Sequence, residues 1–371
     1  MKLAINLTGT PLESGTRTYC VNFLRVLNKT KINQDCSNIT IFITSNYLND
    51  LRFRQSKKIN IVKVSNIYST GFFKFIFDQF FLPLYLIFKP VDKLFCPINY
   101  CPILLKFSKI EIILGIHSNL PWLHFKMMPG NLFKNIFIRL LMTASIIVSN
   151  KIIFCSNTSK KEMKKFFKNE YSKFYYVYLG ANHLKLKKSL KKSKNYILIV
   201  SSIVRYHNIL NLLKSYKKLQ YKNDIPKLIL ITQILDKKYF KNISDYKNSS
   251  KFLKKNFIIK KNIENKNIYK FYEKSLFSVN SSIIESFGFA PIESMALGCP
   301  TMLSKQKTYM EIYKNSALFF NGSSVNQIKN KFLNFINNKK IRQNFKKKGL
   351  LIVKKYKWER TLDQTLKIIK K

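Results

Sequence analysis

The chain alternates short apolar runs with longer amphipathic stretches. LAINL (3–7), ITIFIT (39–44), KLFCPI (93–98), EIILGIH (111–117) and KIIFCS (151–156) are compact runs of the kind that buried parallel strands require. YILIVSS (196–202), KLILIT (227–232), FSVNS (277–281) and TMLS (301–304) restart the pattern in the second half. Helical periodicity fills several of the gaps, for example over 18–29 and 157–168. Such alternation predicts doubly wound α/β units. The polar, lysine-rich run at 181–195 predicts a linker between two similar domains, 1–182 and 190–357. The last segment, 358–371, predicts an amphipathic helix with Leu362, Leu366 and Ile369 on one face.

In sheets of this kind ligands bind beyond the carboxyl ends of the strands, so loops that follow strands are where chemistry is expected. The segment NSSIIESFGFAPIESMALGCPTMLS (280–304) stands out. A strand ends near Ser281, Glu285 follows in the loop, and Pro291 is placed to open a short helix that Gly298 and Pro300 close. Glu293 then falls in the first helical turn. A strand, a glycine-containing loop and a helix start form an anion site of free N–H groups, and two carboxylates beside it can accept paired sugar hydroxyls.

Glu285, Phe287, Gly288, Glu293, Met295, Ala296, Gly298 and Pro300 match the donor motif E-G-F-G-x-P-x-x-E-A-M-A-x-G-x-P, and Pro291 stands one position after the motif's proline. In this the chain resembles the retaining family 4 glycosyltransferases, which have the GT-B fold, and in particular their polysaccharide- and lipopolysaccharide-assembling members. The fold so implied is α/β: two facing Rossmann-like domains, with the C-terminal helix 358–371 crossing back to the N-domain. The resemblance implies that Glu285 contacts the transferred sugar and that Glu293 holds the ribose hydroxyls. The Phe287, Gly288 and Phe289 backbone would approach the sugar and diphosphate.

SGTRTYCVNFLRVL (14–27) resembles the N-terminal loop and first helix of the family, where Gly15 would let the loop approach donor or acceptor. DQFFLPLYL (78–86) and LFCPIN (94–99) are similar to further N-domain segments. GIHSNLPW (115–122) resembles the segment whose histidine, here His117, is implied to face the transferred sugar. Glu311 matches a further family glutamate, with a structural role, and Trp358 is expected to anchor the last helix by packing. SSIVRYHNI (201–209) resembles the loop that supplies cations to the donor diphosphate. Arg205 and Asn208 are present, but His207 stands where lysine is usual. A histidine there carries charge only when protonated, so donor affinity is expected to fall as pH rises through about 6 to 8.

The implied activity is transfer of a sugar from a nucleotide sugar to a glycan or lipid-linked acceptor with retention of configuration. No cofactor or metal is implied, and no Asp-x-Asp triplet or His/Cys cluster suggests a divalent site. Two other classes compete: a GT-B-fold epimerase using the same donor, and a basic nucleic-acid-binding protein. A phosphorylase would need a pyridoxal phosphate site, and the sequence shows no sign of one.

Charge sharpens the question of partners. The chain carries 67 basic and 18 acidic residues, net +49, with a 46% apolar share. The excess is larger in the second half, 42 basic to 10 acidic against 25 to 8 in residues 1–180. Such charge attracts polyanions, and an anionic membrane surface suits it. Lys, Asn, Ile, Phe and Tyr are all abundant, as A/T-rich codon usage would also make them. No nucleic-acid module is recognisable. Six cysteines without a CxxC pair point to buried thiols in a reducing compartment. No signal peptide is visible. The most apolar stretches, 71–88 and 136–148, are interrupted by Lys74, Asp78, Gln79, Pro83 and Arg139, short of an uninterrupted span. The expectation is a cytoplasmic enzyme, peripheral on the inner face of the membrane.

Overall fold

The computed structural model describes residues 1–9, 15–29, 38–45, 59–184 and 195–371. They form two compact units. The first comprises Met1–Trp122, Ile136–Gly180 and Trp358–Lys371; the second comprises Leu123–Asn135 and Ala181–Lys357.

The first unit holds a seven-stranded parallel sheet built from β1 (Lys2–Asn6), β2 (Asn38–Thr44), β3 (Ile59–Val64), β4 (Lys93–Cys96), β5 (Glu111–Ile116), β6 (Lys151–Phe154) and β7 (Phe174–Tyr176). Their spatial order is β3-β2-β1-β4-β5-β6-β7. The order reverses between β1 and β4, which opens a crevice at the carboxyl ends of those strands. The inner strands are buried on both faces: Leu3, Ala4, Ile5, Leu94, Ile113 and Leu114 have almost no exposed surface.

The helix Trp358–Lys370 belongs to this first unit although it ends the chain. Trp358 is buried, and its ring meets that of Tyr19 at 6.0 Å between centroids. Gly180 lies so close that a Cβ there would stand 2.4 Å from Trp358 Cγ, so a larger residue would displace the indole.

The second unit has a six-stranded parallel sheet: β8 (Tyr196–Val200), β9 (Lys227–Thr232), β10 (Phe257–Lys261), β11 (Phe277–Asn280), β12 (Thr301–Ser304) and β13 (Leu318–Phe320). The order is β10-β9-β8-β11-β12-β13, with its reversal between β8 and β11. Both units are therefore Rossmann-like.

The expected linker is partly displaced. Residues 185–194 lie outside the described residues, but Ala181 and Leu184 are buried in the second unit and the Ala181 N–H donates to Tyr356 O (3.0 Å). Lysine richness dominates the composition of 181–195 and hides the apolar residues at its start. The helix expected over 157–168 stops at Met163, and the one expected from residue 18 begins at Gly15. The five cysteines among the described residues are free and buried.

Candidate functional site

The reversal between β8 and β11 brings two loops together. The loop after β8 runs through Ser201 and Ser202 into a tight turn, Arg205–His207, and then into the helix Ile209–Lys217. The loop after β11 carries Ser281 to Gly288 and opens the helix Phe289–Ala296. Backbone and hydroxyl bonds stitch them. Ile283 N–H donates to Tyr206 O (2.8 Å) and Ser281 Oγ donates to His207 O (2.6 Å), while Asn208 Nδ2 donates to Gly322 O (2.8 Å) in the loop after β13. Asn208 adopts φ 55°, a left-handed conformation that asparagine tolerates better than most residues. Its side chain thus holds the loop rather than pointing free.

Glu285 and His207 face each other in this pocket of loops. His207 Nε2 lies 3.7 Å from Glu285 Oε1, and both side chains are less than a quarter exposed. The Ser202 carbonyl can only accept, so His207 Nδ1 donates to it at 2.7 Å; Ser201 Oγ lies at the same distance. That bond places the neutral ring's proton on Nδ1 and leaves the Nε2 lone pair toward Glu285. Burial pushes His207 down to about 4, against the pull of the Ser202 carbonyl. Burial likewise pushes Glu285 up to about 7, against hydrogen bonds from Ser282 and Tyr309. In the ligand-free protein the imidazole is neutral through about pH 6 to 8, because desolvation outweighs its one backbone acceptor.

The next residues fix the approach of the backbone. Gly288 has φ 87°, and a Cβ there would lie 2.6 Å from Tyr309 Cε1. Only glycine meets both conditions at this position. The hydroxyl of Tyr313 donates to Gly288 O, and Tyr309 OH reaches Glu285 Oε1 at 3.5 Å. Phe287 is buried between the rings of Phe289 and Tyr356. The helix begins at Phe289, so Pro291 is its third residue and Glu293 its fifth, two residues deeper than the sequence reading placed it. The reason is that Gly288 already turns the chain, and Pro291 still replaces an N–H that would have no helical partner. Ser294 is fully buried, with Ser278 Oγ at 2.7 Å and Thr301 Oγ1 at 3.0 Å, which pins this helix to β11 and β12.

Residues 182–351 match the family model described as Glycosyl transferases group 1. The matched stretch, a little under half of the chain, is similar to the glycosyl transferases of that group. The O-antigen chain mannosyltransferase RfbU of Salmonella typhimurium is 23% identical over 242 residues, which cover 59% of this chain and 63% of that protein. The match thus spans less than two thirds of that relative's length. Among solved structures, sucrose-phosphate synthase of Thermosynechococcus elongatus superimposes with a TM-score of 0.74 at 14% identity, covering 100% of this chain and 98% of that one. Anabaena HepE in complex with UDP and glucose gives a TM-score of 0.72 at 12% identity, covering 100% and 99%. These likenesses show the fold, which is GT-B.

Within the matched stretch Arg205 is exposed, and its Nε donates to Asp236 Oδ2 (3.2 Å). The pairing leaves the terminal guanidinium nitrogens for a second anion. Glu293 has His183 Nε2 3.7 Å from its Oε1, and both side chains are largely buried. Sequence reasoning missed His183, which sits in the lysine-rich stretch with no motif around it. It missed Tyr309 and Tyr313 too, whose only signal is an amphipathic helical spacing.

His117 and Gly15 belong to the first unit. Gly15 is the first residue of the helix Gly15–Lys29, and Tyr19 of that helix lays its ring 4.8 Å from the His117 ring. The His117 N–H donates to Asn99 Oδ1 (2.7 Å), and its Nδ1 lies 3.4 Å from Cys155 Sγ. Burial pushes His117 down to about 4 and Cys155 up to about 12. Both are neutral near pH 7, so they do not form a thiolate–imidazolium pair. Among the described residues no group of three or more His, Cys, Asp or Glu side chains is arranged to hold a metal ion.

Proposed function

We propose that the chain is a retaining hexosyltransferase that moves a sugar from a nucleotide sugar to a glycan or lipid-linked acceptor in cell-surface polysaccharide assembly. The observation that carries this reading is the placement of Glu285. It sits at the reversal of a parallel sheet, beside a glycine-opened helix start, inside a domain matched by the group 1 glycosyl transferases. The mannosyltransferase relative supports the class of product, and the UDP and glucose bound by HepE support the class of donor.

On this reading Glu285 receives the transferred sugar and Glu293 the ribose hydroxyls. The Phe287–Phe289 backbone meets the diphosphate, with Arg205 as its cationic contact. His207 serves by accepting a hydrogen bond at Nε2 rather than by charge, and Asn208 holds the loop. His117 and Gly15 are proposed to face the sugar and the acceptor side from the first unit.

Breaking the bond at the sugar C1 passes through an oxocarbenium-like state while charge gathers on the leaving diphosphate. Arg205 and the helix N–H groups stabilise that anion, and ionised Glu285 opposes the positive charge on the sugar. No resident cofactor or metal enters the proposal. The enzyme is read as cytoplasmic, with peripheral attachment to the anionic inner face of a membrane and no specific nucleic acid.

A thermal-stabilisation screen of nucleotide sugars identifies the donor, since a ligand that binds only the folded state raises Tm. Nuclear magnetic resonance of the product with a lipid-linked glycan acceptor then reads the anomeric configuration. Inversion would refute the retaining part. Conversion of donor to an epimer without any acceptor would favour an epimerase instead.

A further inference from the structure

The helical segment 71–88 is built inside out. Its charged and amide residues face the protein: Lys74 is 3% and Asp78 1% exposed, and Gln79 is also buried. Phe72 (70% exposed) and Phe88 (77%) face outward, as do Phe80, Leu84 and Ile87, each more than half exposed, while Phe77 packs in the core. Phe80, Leu84, Ile87 and Phe88, at successive spacings of four, three and one, share one helical face.

The inversion is locked by specific bonds. Lys74 Nζ pairs with Asp78 Oδ2 and donates to Thr8 Oγ1 (3.3 Å). Asn6 Nδ2 donates to Asp78 Oδ1 (2.8 Å). Gln79 donates to Cys101 O (3.0 Å) and accepts from Ile103 N–H (2.9 Å). Between Gly71–Ile76 and Leu82–Phe88 the turn Phe77–Phe81 is a π-helix, where Leu82 N–H reaches back to Phe77 O. Pro83 lacks the N–H and crowds the preceding turn, which accounts for the widening.

The apolar face continues beyond this segment. The rings of Phe75 and Phe137 meet at 5.3 Å, and Phe137 brings with it Ile136 and Leu140 of the helix Leu132–Val148, all exposed. The turn that starts at Ile103, beside Gln79, exposes Leu104 and Phe107, the latter by 88%. Exposed Lys89, Lys106 and Lys109 lie in sequence among these apolar residues. A single soluble domain rarely presents so much contiguous apolar surface to water. Lysines beside it, in a chain of net charge +49, suit anionic headgroups.

We propose that the outward face of segment 71–88, together with Ile136, Phe137 and Leu140, inserts into the headgroup–acyl boundary of a bilayer containing anionic lipid. This deepens the peripheral-membrane reading above and rests on it. The segment lies in the interface and does not span, because Lys74 and Asp78 are held by residues of and just after β1. Apolar insertion with basic flanks is the arrangement of interfacial helices.

The test is flotation with phosphatidylcholine vesicles, with and without phosphatidylglycerol, in low and high salt. The parent is compared with Phe80→Asp/Leu84→Asp/Phe88→Asp, substitutions at exposed positions whose folding is checked by melting and by donor stabilisation of Tm. The parent should bind the anionic vesicles, keep most of that binding through the high-salt wash, and outbind the triple variant at least tenfold. Equal binding by a folded triple variant would overturn the insertion face while leaving electrostatic attachment standing. A parent that binds no vesicles at any salt would remove the membrane reading as well. A parent that is dimeric where the triple variant is monomeric, with equal flotation of both, would make the face an interface between two copies. Should the triple variant not fold, Phe80→Ser/Phe88→Ser is the substitute, with the same tenfold criterion set at threefold.

Discussion

His207 Nε2 stands 3.7 Å from Glu285 Oε1, with the imidazole proton held on the other nitrogen by the Ser202 carbonyl. Two groups that are charged in water near neutrality in most pairings are here both driven toward their neutral forms by burial.

This sets the pH dependence of turnover. Glu285, pushed up to about 7, is only partly ionised at neutral pH. If its carboxylate opposes the positive sugar, kcat/KM should rise with pH along a limb centred near 7. His207→Lys places a cation beside Glu285 and should move that limb acidward by at least a unit. Profiles of the two proteins from pH 5 to 9 decide it. An unchanged limb in the lysine variant would mean that Glu285 does not set the limb.

Burial of the two groups acts on stability in opposite directions as pH falls. His207 titrates at about 4 when folded and near 6.5 when unfolded, so the unfolded chain binds more protons between those values. The stability it contributes is complete above about 6.5 and is lost as pH falls toward 4. From pH 7.5 to 5 the loss should be about 2 kcal/mol for this residue. Glu285 runs the other way: its raised value favours the folded state at low pH, and that contribution fades as pH rises from 4.5 to 7. Hydrogen exchange of the β8 amides should show that the change in stability from pH 7.5 to 5 is more favourable in His207→Gln than in the parent, since the variant keeps the Glu285 contribution and lacks the histidine loss. An equal change in both would show that this histidine is not buried neutral.

The Lys74–Asp78 pair supports the first unit from inside. Asp78→Ala leaves a buried ammonium unpaired and an Asn6 amide without its acceptor, and should cost about 3–5 kcal/mol. Lys74→Met/Asp78→Leu removes both charges and should recover much of that loss in urea unfolding. A double variant as unstable as the single one would contradict this view of the pair.

Much of this architecture was legible in the sequence. The nine apolar runs read as strands are the nine inner strands of the two sheets. The four strands that escaped, β3, β7, β10 and β13, are the edges. An edge strand is covered on one side only, so INIVKV and FIIKK carry lysines, and FYY and LFF are too short to show a period. The loop after β11 was legible because a strand end, a glycine, a proline and two glutamates follow one another closely there. The ionisation of His207 was not, since it depends on the Ser202 carbonyl and on desolvation by the loop after β11. The outward face of 71–88 was legible as apolarity but not as direction. Composition shows that Lys74 and Asp78 interrupt it, and only the contacts with Asn6 and Thr8 show that they point inward.

The claim that Glu285 and Glu293 form a nucleotide-sugar site has a direct test in donor binding. Dissociation constants for the best nucleotide sugar and for its bare nucleoside diphosphate are to be measured for the parent, Glu285→Gln and Glu293→Ala. The account predicts that Glu293→Ala weakens both ligands at least tenfold, by loss of paired hydrogen bonds to the ribose. It predicts that Glu285→Gln leaves the bare diphosphate unchanged, erases the added affinity of the sugar, and abolishes turnover. Parent-like sugar affinity and turnover in Glu285→Gln would contradict it.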